Sequence, residues 1–161
     1  KVLQGGPESE VTPLAVGSED KANKLRNDLK KLCERAKDWQ MLFNVDKCVV
    51  IHFGVNNKRA EYIMEGNRLK QSDGERDLGV IISSSGKPSE QCLAAAKKAN
   101  RMLGLIKRNF KSRSKDVVVR LYKTLVRPRL EYCVQSWCPY LQKDIAVLEK
   151  VQRRVTKMIV Y

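Results

Sequence analysis

The sequence predicts an α+β fold, one helix with a small antiparallel sheet followed by an all-helical half. Three observations predict it. Apolar residues recur in steps of three and four from Ala22 to Trp39. Residues 42–83 change to short β-branched and aromatic runs punctuated by glycine. After Pro88 the apolar spacing is helical to the end. At 161 residues the chain is long enough for a real hydrophobic core, as one domain or two small subdomains.

Taken in order, residues 1–17 are rich in glycine and proline with little periodicity and read as a loose leader. Ser18 is a natural N-cap, and Glu19 and Asp20 suit a helix's first turn. Ala22, Leu25, Leu29, Leu32, Ala36 and Trp39 then form one apolar stripe. "LFNVDKCVVIHFG", Leu42 to Gly54, reads as a strand. Polar "VNNKRA" is a turn, and "EYIM" and "NRLK" flank Glu65 and Gly66 as a short hairpin. "RDLGVIIS", Arg76 to Ser83, reads as a further strand, and "SSGKP" breaks the chain.

From 87 to 161 the pattern is helical. Ser89 is placed to cap a helix whose apolar residues are Cys92, Ala96, Ala99, Leu103 and Ile106, with Lys97, Lys98, Arg101, Lys107 and Arg108 at other positions. Ser114 is placed to cap a second, carrying Val117, Val118, Leu121, Tyr122 and Leu125, which Pro128 should stop. "RLEYCVQSWC" ends at Pro139, and Tyr132 and Trp137 are expected in the core. The last helix repeats Leu148, Val151, Val155 and Met158, with Arg153 and Arg154 facing away.

The formal charge is +14, and it is not evenly spread. Residues 1–86 hold 14 Lys and Arg against 13 Asp and Glu; residues 87–161 hold 18 against 5. Between Lys97 and Arg129 there are 12 basic residues and one acidic residue, Asp116. Pairing at i,i+4 needs acidic partners, which are nearly absent there. A polyanion relieves the resulting repulsion and releases its own counterions on binding, which makes affinity salt-dependent. Aromatic residues are few, so contact to a duplex backbone suits this composition better than stacking on single-stranded bases. The plain alternative is a solvated basic surface, and for Arg127, Arg129, Arg153 and Arg154 the two readings weigh equally.

No apolar run reaches the length of a membrane span, and residues 1–11 lack a signal-type hydrophobic region. Five scattered cysteines, Cys33, Cys48, Cys92, Cys133 and Cys138, do not suggest a disulfide framework. An intracellular chain without a membrane partner is expected. It begins with lysine and is expected to be a piece of a longer protein.

"LFNVDKCVVIHFG" holds the chain's one histidine, beside a cysteine and a lysine. Strand alternation puts Val49, Ile51 and Phe53 on one face and Cys48, Val50 and His52 on the other. A zinc site would need two further ligands, and Cys133 and Cys138 have the wrong interval for a ribbon or finger. A Cys48–His52 dyad fails on distance, since residues four apart on a strand are about 13 Å apart. A packed strand with a hydrogen-bonded histidine is the expectation, and no metal site is assigned.

Taken together, "LRNDLKKLCERAKDWQMLFNVDKCVVIHFG", "RDLGVIIS", "QCLAAAKKANRMLGLIKRNFKSRSKDVVVRLYKTLVRPRLEYCVQSWCPY" and "DIAVLEKVQRRVTKMI" resemble the reverse transcriptase of non-LTR (LINE-type) retrotransposons. The likeness is to the jockey-like and chicken-repeat-like clades and covers nearly all of residues 18–160. It implies that 18–86 is the C-terminal portion of a polymerase palm and 87–161 a basic helical thumb that follows a primer–template duplex. It implies that Lys47 contacts the incoming nucleotide's phosphates, or donates a proton, in an intact enzyme. "DLGV", Asp77 to Val80, resembles the primer-grip hairpin. That places Leu78 and Gly79 against nucleic acid, with Gly79 allowing a close backbone approach rather than forming a bulge. Lys97, Lys98, Arg101, Lys107, Arg108, Lys111 and Arg113 would contact the duplex.

The family's Phe/Tyr-Ala-Asp-Asp turn has no counterpart before the first helix, where the sequence reads "LQGGPESEVTPLAVGSED". Two-metal phosphoryl transfer needs closely placed carboxylates around the ions. Mg²⁺ therefore belongs to an intact polymerase, and no cofactor is expected in this chain, nor catalysis by it alone. An RNA–DNA hybrid or duplex and the upstream polymerase portion are the expected partners. Two alternatives remain at this level. One is a domesticated or adventitious basic module that binds RNA or a protein partner without catalysis. The other is a remnant whose unpaired strand edges make it aggregate.

Overall fold

The computed structural model describes residues 19–54, 56–111 and 114–159. The leader, the Ser18 cap and Arg113 lie outside the described residues. The chain divides into two compact units, one containing Asp77 and the residues before it with Ser83–Gly86, the other Leu78–Ile82 and Lys87 onward. The described residues are mixed α and β, with helices and three sheets of two strands each.

In the first unit, helix α1 spans Glu19–Asp38. Its buried line runs through Ala22, Cys33 and Ala36, with Leu25 and Leu29 packed beside them. Leu32 and Trp39 leave this stripe, contrary to the expectation. Leu32 neighbours Cys33 and so points about 100° away from it. Trp39 lies past the helix end, before Gln40 at a positive φ of 55°, and is 75 % exposed.

The predicted strand over 42–54 is mostly something else. Val45–Lys47 is a 3₁₀ turn, and only Val49–Ile51 forms strand β1. The hairpin of β2 (Ile63–Met64) and β3 (Asn67–Arg68) pairs antiparallel, with Glu65 and Gly66 both at positive φ in its turn. Strand β4 (Lys70–Ser72) pairs with β1 in parallel, Val49 opposite Lys70 and Ile51 opposite Ser72. An antiparallel sheet was the expectation. The intervening residues 52–69 are long enough to carry the chain back to the start of β1 before β4 runs in the same direction. Cys48 and Val50 pack beside the core of Cys33, Tyr62, Met64 and Leu69, whereas Phe53 is exposed.

Arg76–Ser83 is not a single strand. Strand β5 (Gly74–Asp77) turns at Leu78 and Gly79 and pairs with β6 (Val80–Ser83). Both turn residues have positive φ, 46° and 87°, which reverses the chain within the stretch read as one strand.

The second unit is built on helix α2 (Ser89–Asn109), which buries Cys92, Ala95, Ala96, Ala99, Leu103 and Ile106. Burial, with the charge of Asp144 second, pushes the Cys92 thiol up to about 11, so it stays protonated and serves as packing. Ser89 is the first helical residue rather than the cap; Pro88 holds the cap position. The Ser89 hydroxyl instead donates to Oδ2 of buried Asp144 at 2.7 Å.

Helix α3 (Lys115–Leu121) does not stop at Pro128. It continues through a π-helical turn, Tyr122–Val126, into α4 (Arg127–Glu131), with Pro128 in the first turn of α4. In a regular α-helix Pro128 would crowd the Thr124 carbonyl and give it no N–H. The wider turn, in which Arg127 N–H bonds the Tyr122 carbonyl, accommodates the ring. Ser114 is the N-cap of α3 without a side-chain hydrogen bond. Cys133, left-handed at φ 52°, separates α4 from α5 (Val134–Trp137), and α6 spans Gln142–Thr156. Val118, Val126, Leu130, Val151 and Val155 join the α2 stripe in one core. Trp137 is buried as expected, but Tyr132 is 52 % exposed.

Candidate nucleic-acid interface

The residues that put cations on a surface are those that keep α2 in place. Its small buried alanines let α6 and α4 pack against one side, so the opposite side is left to solvent. At about 100° per residue, Lys97, Arg101 and Arg108 fall within about 40° of one another on that outer side. They extend over about 16 Å of helix axis at a rise of 1.5 Å per residue. Lys98 and Lys107 flank this line on opposite sides, and Lys111 follows the helix after Phe110. All six are exposed. Gly104 lies within the line, and nothing stands within 4 Å of where its side chain would begin.

Among the described residues none of these six cations is held in an ion pair. Ion pairs of this unit are found elsewhere, such as Arg127 with Glu131 at 2.7 Å and Arg153 with Glu149 at 3.2 Å, both one helical turn apart. The Glu131 hydrogen bond and charge raise the Arg127 pKa. Arg154 donates to Asn100 Oδ1 at 2.8 Å and Arg129 to the Leu125 carbonyl at 3.1 Å. So the four arginines that sequence reasoning left open are each committed to a protein partner, whereas the α2 line is not.

Leu78 and Gly79 sit at the β5–β6 turn, with the Leu78 side chain exposed. Gly79 is a turn residue rather than a bulge, and the Tyr132 ring approaches it: a Cβ there would stand 3.4 Å from Tyr132 Cε1. The Tyr132 hydroxyl donates to the Leu78 carbonyl at 3.0 Å. Sequence reasoning missed this link, because nothing local to Tyr132 signals a bond 54 residues away.

Lys47, in the first unit, is exposed on the 3₁₀ turn. The adjoining open depression, about 670 Å³, is lined by neighbours such as Asn44, Asp46, Arg68 and Lys70 rather than by Lys47. His52 meets the expectation of a hydrogen-bonded histidine only in part: a side-chain hydrogen bond links it to Asn57, but its buried Nε2 has no hydrogen-bond partner among the described residues. Its ring stacks on Tyr62 at 6.3 Å. Burial, and then the Arg59 charge, lower its pKa against the opposing effect of Asn57, so the ring is neutral.

Among the described residues no group of three or more His, Cys, Asp or Glu side chains is arranged to hold a metal ion, and no helix is long and apolar enough to cross a membrane. No family model, curated protein or solved structure matches the chain.

Proposed function

We propose that this chain grips the phosphate backbone of a nucleic-acid duplex, as the C-terminal palm and thumb of a LINE-type reverse transcriptase would, without supplying the polymerase's catalytic aspartates. The observation that carries the reading is the line Lys97, Arg101 and Arg108 on the outer side of α2, exposed and unpaired. Solvated surface helices with many cations ordinarily interleave carboxylates at i,i+4, as Arg127 and Arg153 do here. An uncompensated line has its favourable partner outside the chain, and phosphates of a duplex neutralise it with release of counterions. The resemblance adds the substrate class, an RNA–DNA hybrid, and a place for the Leu78–Gly79 turn against it.

The test is titration of a fluorescent RNA–DNA hybrid with the purified chain at 50 and 200 mM salt. Affinity should fall steeply over that interval, and a flat response or no binding overturns the reading. Primer extension with Mg²⁺ or Mn²⁺ should stay at background. Extension above it would restore an enzyme.

A further inference from the structure

We propose that Tyr132 is a positioning residue that locks the Leu78–Gly79 turn so that the Leu78 side chain is presented to a bound nucleic-acid strand; this rests on the nucleic-acid reading above. Leu78 has φ 46°, a left-handed conformation in which the Leu Cβ crowds its own backbone. Asparagine or glycine fills such a turn position without that strain, so a leucine there points to a use for its side chain. That side chain is 64 % exposed and contributes nothing to a buried core cluster.

The strained turn is held from two sides. Tyr132 donates to the Leu78 carbonyl at 3.0 Å while its ring lies against Gly79, where a Cβ would meet Cε1 at 3.4 Å. Two residues beyond the turn, the Ile81 N–H donates to Oε1 of the buried Gln91 at 3.0 Å. Tyr132 is itself fixed: its carbonyl accepts from Nε1 of buried Trp137 at 2.8 Å, and left-handed Cys133 breaks the helix just after it. An exposed tyrosine anchored by its backbone and spending its hydroxyl on a turn carbonyl is placed to set that turn's shape. An apolar side chain at the tip suits the sugar and base faces of a strand rather than its phosphates.

The experiment uses the full chain with a fluorescent RNA–DNA hybrid at low salt and compares Tyr132→Phe, Leu78→Ala and the double variant. Backbone amide exchange across residues 74–83 and thermal melting are followed in parallel. Tyr132→Phe should bind about fivefold more weakly, the equivalent of one ordinary hydrogen bond. Its Gly79 and Val80 amides should exchange faster, with the melting temperature and the salt dependence unchanged. The double variant should bind no more weakly than the weaker single, because both substitutions act through one side chain. Multiplicative losses mean that Tyr132 touches the nucleic acid itself and overturn the positioning role. Wild-type affinity and exchange in Tyr132→Phe overturn it as well, with duplex binding left standing. No binding by the wild-type chain overturns both readings.

Discussion

Replacing Lys97, Arg101 and Arg108 together by glutamine removes the unpaired line on α2 while leaving a good helix former at each position. Each phosphate contact contributes about 0.9 to the slope of log affinity against log salt for a duplex. Three contacts therefore account for a slope of about 2.7, and over the fourfold change from 50 to 200 mM salt this is about a 40-fold share of the wild-type loss. Fluorescence anisotropy with a duplex oligonucleotide at four or five salt concentrations gives both slopes directly. A matched variant with Arg127 and Arg153 changed to glutamine serves as control, because those side chains are committed to Glu131 and Glu149. It should shift the slope much less. If the triple variant keeps the wild-type slope within about 0.5, the α2 line is not where the backbone lies, and the argument from unpaired cations fails.

Ser89→Ala should cost about 1–2 kcal/mol by leaving a buried carboxylate short of a donor. A double-mutant cycle with Asp144→Ala should show coupling of at least about 1 kcal/mol, whereas a serine capping its own helix would cost the same in both backgrounds. His52 has a folded pKa below its usual 6.5, so its contribution is complete above that value and is lost as pH falls through the lowered folded pKa. Urea titrations followed by circular dichroism at pH 7.5 and 5.5 should show that loss in the wild type and a smaller one in His52→Phe; equal losses would remove His52 from the explanation. Leu78→Asn should raise stability by about 1 kcal/mol by relieving the left-handed leucine, and a fall in the urea midpoint would mean that this side chain is packed.

What was legible in the sequence depended on how local the cause is. Most of the stripe on α2 was readable, because Cys92, Ala96, Ala99, Leu103 and Ile106 repeat with the helix's own period and all are buried, although buried Gln91 and Ala95 went unnamed. Its cations were readable for the same reason, since they occupy what remains of the wheel. Leu32 and Trp39 were misread because the buried line shifts to Cys33 and the helix ends at Asp38. The parallel pairing of β1 with β4 depends on how residues 52–69 return the chain, which strand propensity does not encode. Ser89 and Tyr132 were misread because each trades its local role for a partner more than fifty residues away. A hydroxyl at a helix start or in an aromatic–cysteine run carries no mark of that choice.

The π turn at Tyr122–Val126 makes the length of its segment matter alongside the packing of its buried Val126. A π turn holds one residue more than the α-helical path it replaces, so everything after Val126 is rotated by about 100° relative to α3. Buried Leu130 and the exposed Arg127 and Arg129 take their faces from that offset. A substitution within the turn changes one side chain, but deletion of one residue would swing Leu130 out of the core and bring a charged neighbour toward it. Related chains should therefore keep the residue count of this stretch and an apolar residue at buried Val126, while varying at exposed Lys123 and Thr124.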